Sequence, residues 1–228
     1  MEILLGVHLV EGVNANPYLL PSVDGKIVLV DTGMPGNAKK ILGYLSTKMN
    51  RDPKDLKTIL LTHCHPDHVG SALELKELTG AKIAIHMDDA DYVAGRKKLP
   101  PIKGPVSPEI TRSPPPSLPP IQPDLLLDDC QIIGGLKVIH TPGHTPGSIA
   151  LYEQSRRILF TGDALLSFGG KVVGPSEQFS VDIQEARRSI GRLTVLDFDI
   201  MLSGHGEPLR ANAAALVREF YDPLKQSY

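Results

Sequence analysis

Thr62-His63-Cys64-His65-Pro66-Asp67-His68 is the stretch on which the reading of this chain turns. It follows Thr58–Leu61, a short apolar run of the kind that forms a buried strand. In an extended segment residues i and i+2 point to the same side, so His63 and His65 can approach one metal ion. Cys64 then points away and reads as a small packed residue. Pro66 stops the strand, and Asp67-His68 turn onto a neighbouring position where they can approach a second ion. Imidazole and carboxylate suit zinc and also serve iron or manganese. A polar loop leading into a helix is the plain alternative, and four ligand-type residues within six positions argue against it.

Three further candidates lie downstream, each beside glycine after an apolar run. His144 sits in Thr141-Pro142-Gly143-His144-Thr145-Pro146-Gly147, after Leu136–His140. Asp163 follows Thr161-Gly162 after Ile158–Phe160, and His205 lies in Ser203-Gly204-His205-Gly206-Glu207-Pro208 after Ile200–Leu202. Singly, each is an ordinary loop residue. Together they repeat one geometry, a strand delivering a polar side chain to a common rim. Asp31, ahead of Thr32-Gly33, reads equally well as a turn former or as a hydrogen-bond partner of a ligand.

Outward from these positions the chain alternates short apolar runs with helical spacings. Ile3–Val10, Tyr18–Leu20, Lys26–Val30 and Lys82–His86 read as strands, and so do Ser148–Tyr152 and the runs before each candidate. Asn37–Met49, Ser71–Leu78, Asp88–Ala94, Ile183–Val195 with Asp182 at its cap, and Ala211–Tyr221 read as helices. Strands come in two batches, each followed by helices, which predicts layers of helix, sheet, sheet and helix. Leu99–Pro123 holds ten of the twenty prolines and is expected to be a lid or rim over the site, against a linker as the alternative.

Composition bounds the function. The chain has 228 residues, 41% hydrophobic and 22% charged, enough for one domain with a substantial core. A net charge of −2 and a densest basic cluster of only Arg96-Lys97-Lys98 argue against a nucleic-acid partner. With no apolar run of about 18 residues a membrane partner is not expected. The start Met1-Glu2-Ile3-Leu4-Leu5-Gly6 lacks the basic and apolar regions of a secretory signal, and Cys64 and Cys130 are too few for a disulfide scaffold. A cytoplasmic enzyme acting on a small-molecule substrate is the expectation; oligomeric state is left open, a homodimer included.

The ordered set of Asp31, His63 to His68, His144, Asp163 and His205 resembles the five motifs of the metallo-β-lactamase superfamily, over nearly the whole chain. The resemblance implies an α+β fold, the αβ/βα four-layer sandwich, as a single domain over 1–228. It implies two divalent ions, zinc first, with iron or manganese as alternatives. His63, His65 and His144 would hold one ion, Asp67, His68 and His205 the other, and Asp163 would bridge them. Asp31 would stand behind the ions and orient a ligand. His8, His86 and His140 are then left for structural roles, His140 being the first exception to consider as a ligand's partner.

The implied chemistry is hydrolysis by a metal-bridging hydroxide, with Asp67 as a proton acceptor besides being a ligand. A carboxylate at Asp163 resembles glyoxalase II more than the true β-lactamases, and only 23 residues follow His205, too few for a glutathione-binding end. A thioester or ester of a small molecule is therefore the expected substrate. The alternatives are a phosphodiesterase or lactonase of the same fold, a mononuclear iron persulfide dioxygenase, and a non-catalytic module.

Overall fold

Apolar runs too short for helices and buried on both faces build the first sheet. In this computed structural model, which describes residues 1–98 and 118–225, its strands are β1 (Glu2–Leu4), β2 (Val7–Leu9), β3 (Tyr18–Pro21), β4 (Ile27–Val30), β5 (Leu56–Leu60), β6 (Lys82–His86) and β7 (Leu125–Leu127), side by side in that order. β1 to β4 pair antiparallel, and β4 to β7 parallel. Parallel neighbours need crossovers. α1 (Ala38–Lys48) joins β4 to β5, α2 (Pro66–Val69) and α3 (Ala72–Thr79) join β5 to β6, and α4 (Met87–Val93) follows β6.

The second batch gives β8 (Ile132–Ile133), β9 (Leu136–His140), β10 (Ile149–Glu153) and β11 (Ile158–Gly162), then the hairpin β12 (Leu166–Phe168) and β13 (Lys171–Val173). α5 (Ile183–Thr194) leads to β14 (Ile200–Ser203), and α6 (Ala213–Lys225) follows. The sheet order is β14-β11-β10-β9-β8, with only β11 and β14 parallel.

Strand periodicity sorts side chains into layers. Ile27 and Leu29 of β4 face a core shared with Ile41, Leu45 and Leu75 of the first helices, whereas Val28 and Val30 face the other sheet. Ile158 and Phe160 of β11 meet them there. Leu159, with Ala150, faces α5 and α6 through Ile190, Leu193 and Val217. Three apolar interfaces in series make the expected helix–sheet–sheet–helix sandwich. Residue spacing sets the buried face of α5: Ala186, Ser189, Ile190 and Leu193 point inward, and Asp182 accepts from the amides of Gln184 and Glu185 as its cap.

Polar contacts lock the two sheets at the end where the candidate residues emerge. Buried Tyr18 donates to the Ser203 carbonyl at 2.8 Å and stacks edge-on against Phe160, and the Asn16 amide nitrogen donates to Ser203 and Gly206 carbonyls. Tyr18→Phe removes one donor while Asn16 still serves Ser203. It should cost about 1 kcal/mol, a fall in Tm of about 2–4 °C by calorimetry.

Several boundaries differ from the sequence reading. Ile3–Val10 is two strands, because Gly6 at φ 80° turns the chain back on itself. β7, β8, β12 and β13 were not expected; each has two or three residues, too short for a periodic signal. The lid expected over 99–123 falls largely on 99–117, outside the described residues. Of residues 118–123, Leu118 and Ile121 pack with Tyr92 and Val93, and the Ile121 amide donates to the Val93 carbonyl. Among the described residues no helix is long and apolar enough to cross a membrane.

Candidate metal centre

Every residue singled out in the sequence stands at or just beyond a strand end. Asp31 follows β4, the 62–68 segment follows β5, His144 follows β9, Asp163 follows β11 and His205 follows β14. Parallel pairing brings the ends together: the Asp31 amide donates to the Leu60 carbonyl, and the Gly204 amide donates to the Gly162 carbonyl at 2.8 Å. The Ile149 amide donates to the Thr62 carbonyl, joining the sheets beside the cluster. Seven side chains thus converge from both sheets.

They form two groups. His65 Nδ1 lies 3.0 Å from His63 Nε2 and 3.0 Å from His144 Nε2. On the other side, His205 Nε2 lies 3.2 Å from Asp67 Oδ2 and 3.4 Å from His68 Nε2. Asp163 stands between: Oδ2 is 3.6 Å from His144 Nε2 and 3.5 Å from His205 Nε2, and Oδ1 is 3.4 Å from His68 Nε2. His63, His68 and Asp163 also bring ligand atoms together.

Hydrogen bonds behind the rings decide which nitrogen faces inward. Thr62 Oγ1 donates to Asp31 Oδ2, so it accepts from His63 Nδ1–H at 3.1 Å. Ser180 Oγ donates to the Ser176 carbonyl and accepts from His144 Nδ1–H. His68 Nδ1 donates to Asp31 Oδ2 at 2.8 Å. All three rings turn Nδ1–H outward and Nε2 toward the cluster, the orientation a metal needs, and on the neutral His63 and His144 rings that nitrogen keeps its lone pair. Asp31 does this for His68 directly and for His63 through Thr62. It sits at φ 58°, in the left-handed region that aspartate tolerates, and its Oδ1 also takes the Thr62 amide.

The electrostatics of the two groups differ. Burial, then the surrounding imidazoles, push His63 and His144 well below the usual histidine range and His65 down to about 4. That group is neutral. Burial also opposes charge on His68, but Asp163, Asp31 and Asp67 outweigh it and raise the ring to about 10. His205 is raised against its burial by Asp67 and Asp163. Burial raises the Asp163 carboxyl beyond what His68 and His205 offset.

The donor set fits two divalent ions. His65 Nδ1 stands 3.0 Å from both His63 Nε2 and His144 Nε2, a spacing that suits metal–nitrogen bonds of about 2.0–2.1 Å to one cation. Asp163 Oδ1 is buried without a hydrogen-bond partner, an orphaned anion atom aimed at His68. Gly204 leaves room for it, since a methyl there would stand 2.3 Å from that oxygen and 2.7 Å from His68 Cε1. Cys64 turns away into the first core cluster, and burial with Asp89 beside it pushes its thiol up, so it stays protonated.

The other histidines lie apart. His8 meets Tyr44. His86 and His140 stack at 3.9 Å near Asp88; His140 Nε2 pairs with the Pro146 carbonyl and His86 Nδ1 accepts from the Asp88 amide, while His86 Nε2 is buried without a hydrogen-bond partner. His140 thus serves the loop that carries His144. Thr62 and Ser180, as partners of ligand rings, were not foreseen; a lone serine 36 residues from its histidine leaves no sequence signal. Asp89 was missed as well, reading only as an acid in a helix's first turn.

Comparison with known proteins agrees with this geometry. The sequence profile of the metallo-beta-lactamase superfamily matches residues 10–205. "Probable metallo-hydrolase YflN" of Bacillus subtilis (strain 168) is 31% identical, over 91% of this chain and 86% of that one. "Hydroxyacylglutathione hydrolase GloC" of Haemophilus influenzae is 30% identical over 67% and 69%. Among solved structures, a metallo-beta-lactamase family protein of Thermus thermophilus superposes with a TM-score of 0.71 at 25% identity, covering 98% of this chain and 81% of that one. The structure of TTHA1623 in a di-iron-bound form gives a TM-score of 0.68 at 27% identity, over 96% of this chain and 98% of that one.

Proposed function

The chain belongs to the metallo-β-lactamase superfamily, and on that footing we propose that it is a two-ion hydrolase cleaving a thioester or ester of a small molecule. His63, His65 and His144 would hold one ion and Asp67, His68 and His205 the other, with Asp163 placed to serve both. The observation that carries the reading is Asp163, a largely covered carboxylate within 3.6 Å of ring nitrogens from both groups. Two divalent ions, when bound, supply Lewis-acid activation of water and of the substrate's carbonyl oxygen. Zinc suits the nitrogen-rich set, and the di-iron form of a relative keeps iron, like manganese, as an alternative.

The chain's own residues do the rest. Asp67 is about a third exposed, against 12% for Asp163, and is the carboxylate open to an incoming water. Burial would raise its pKa, but His68 and His205 outweigh burial and hold it well below the ordinary range, so it is ionised and offers the attacking water an acceptor, though a weak base. His63 and His144, locked by Thr62 and Ser180, keep their lone pairs inward throughout.

The relative named a hydroxyacylglutathione hydrolase supports an acyl substrate. A net charge of −2 weighs against a polyanionic one. A rate panel tests the choice: S-lactoylglutathione, an aryl ester, a lactone, bis-p-nitrophenyl phosphate and nitrocefin, with elemental analysis alongside. The thioester or aryl ester is expected to exceed the phosphodiester and nitrocefin by about tenfold or more in kcat/KM. A phosphodiester above both would overturn the substrate class, and one iron per chain with no second ion would favour persulfide dioxygenase chemistry.

A further inference from the structure

Asp89, in the first turn of α4, is fully buried, and no cation pairs with it among the described residues. Its Oδ2 accepts from the Cys64 amide at 2.9 Å and from Thr145 Oγ1 at 2.6 Å, and its Oδ1 accepts from the Gly147 amide at 2.7 Å. Cys64 lies between His63 and His65, and Thr145 follows His144. One carboxylate therefore ties together the two loops that supply the first three ligands.

The turn is shaped to reach it. A methyl at Gly147 would lie 2.5 Å from the Asp89 backbone nitrogen and 2.7 Å from its carboxyl carbon, so only glycine brings that amide into range. At the turn's other end Gly143, at φ 122°, presses on α5, where a methyl would stand 2.0 Å from the Ala186 nitrogen. Burial pushes the Asp89 carboxyl up while its donors work the other way. An apolar side chain would be easier to bury there, but would offer no acceptor to either loop.

We propose that Asp89 is a positioning residue for the first ion: it holds the loops so that His65 Nδ1 stays 3.0 Å from both His63 Nε2 and His144 Nε2, and sets that ion's affinity without touching it. The inference rests on the two-ion reading above. Outer partners of this kind change metal affinity by about 10–100-fold.

Calorimetric titration of the full chain with Zn²⁺, repeated with Co²⁺ and followed by its visible absorption, tests it. Wild type should take up two ions. Asp89→Asn turns an amide group toward the Cys64 N–H or the Gly147 N–H, and should weaken one site by about 10–100-fold while the other stays within about threefold. Thr145→Val should weaken the same site by less, and Thr145→Ser should restore it. If Asp89→Asn does not fold, the Thr145 pair decides alone. Titration like wild type at both sites, even with a lowered Tm, would reduce Asp89 to a purely structural residue and overturn the proposal. So would equal weakening of both sites. A wild-type chain that takes up fewer than two ions fails the hydrolase reading itself, before any variant is compared, and this proposal with it.

Discussion

Asp163→Ala is expected to abolish hydrolysis, lowering kcat/KM by about 10³-fold or more, roughly 4 kcal/mol of transition-state stabilisation. Its carboxylate lies within reach of both His144 and the His68–His205 pair, so its loss uncouples the two groups. Elemental analysis should show metal content falling below two ions per chain. Stability should respond differently. Asp163 Oδ1 is buried without a partner and desolvation raises the carboxyl's pKa, so in the metal-free chain it stabilises little. Denaturant melts of metal-free Asp163→Ala should fall within about 1 kcal/mol of wild type, or above it. Residues kept for function at a cost to the apo fold behave in this way. Wild-type turnover in the variant would remove Asp163 from the centre.

Asp31→Ala should damage fold and site together, costing about 3–5 kcal/mol in equilibrium denaturation. The carboxylate takes the Thr62 amide, the Thr62 hydroxyl and His68 Nδ1, and all three partners are buried. Alanine leaves those donors unsatisfied. It also places a Cβ without a local hydrogen bond at φ 58°, which favours glycine, asparagine or aspartate. Asp31→Asn keeps the shape and the backbone preference but presents an amide donor to His68 or Thr62, so it should fall between wild type and alanine. Metal uptake by the Asp67–His68–His205 group should weaken in both variants, because His68 is freed to turn. A stability loss under about 1 kcal/mol in Asp31→Ala would mean that water replaces the carboxylate, and that Asp31 does not organise the site.

The candidate ligands were legible because their signal is local. Two histidines at i and i+2 after a strand share a side by backbone geometry alone, and Pro66 turns the next pair away; no tertiary information is needed. The remaining strand ends, each closing on glycine, were legible for the same reason. Less local features were not. Ile3–Val10 reads as one strand because apolar content persists through the turn, and only Gly6 hints at reversal. Short strands such as β8 and β12 exist because a neighbour offers an edge to pair with, not because two or three residues prefer to be extended.

Sequence by itself therefore determined the residue types, their order along the chain and the four-layer arrangement, all of which follow from period, spacing and chemistry within a few positions. Tertiary structure alone decided how the groups are poised. That His68 is held charged while His63, His65 and His144 stay neutral depends on where three carboxylates end up. That Thr62 and Ser180 choose the inward nitrogen, and that Asp89 joins the distant loops carrying Cys64 and Thr145, depends on which strand ends meet. Hydrogen bonds act over about 3 Å in space and carry no trace of their separation along the chain, so partners brought together only by sheet pairing leave no periodic mark in the sequence.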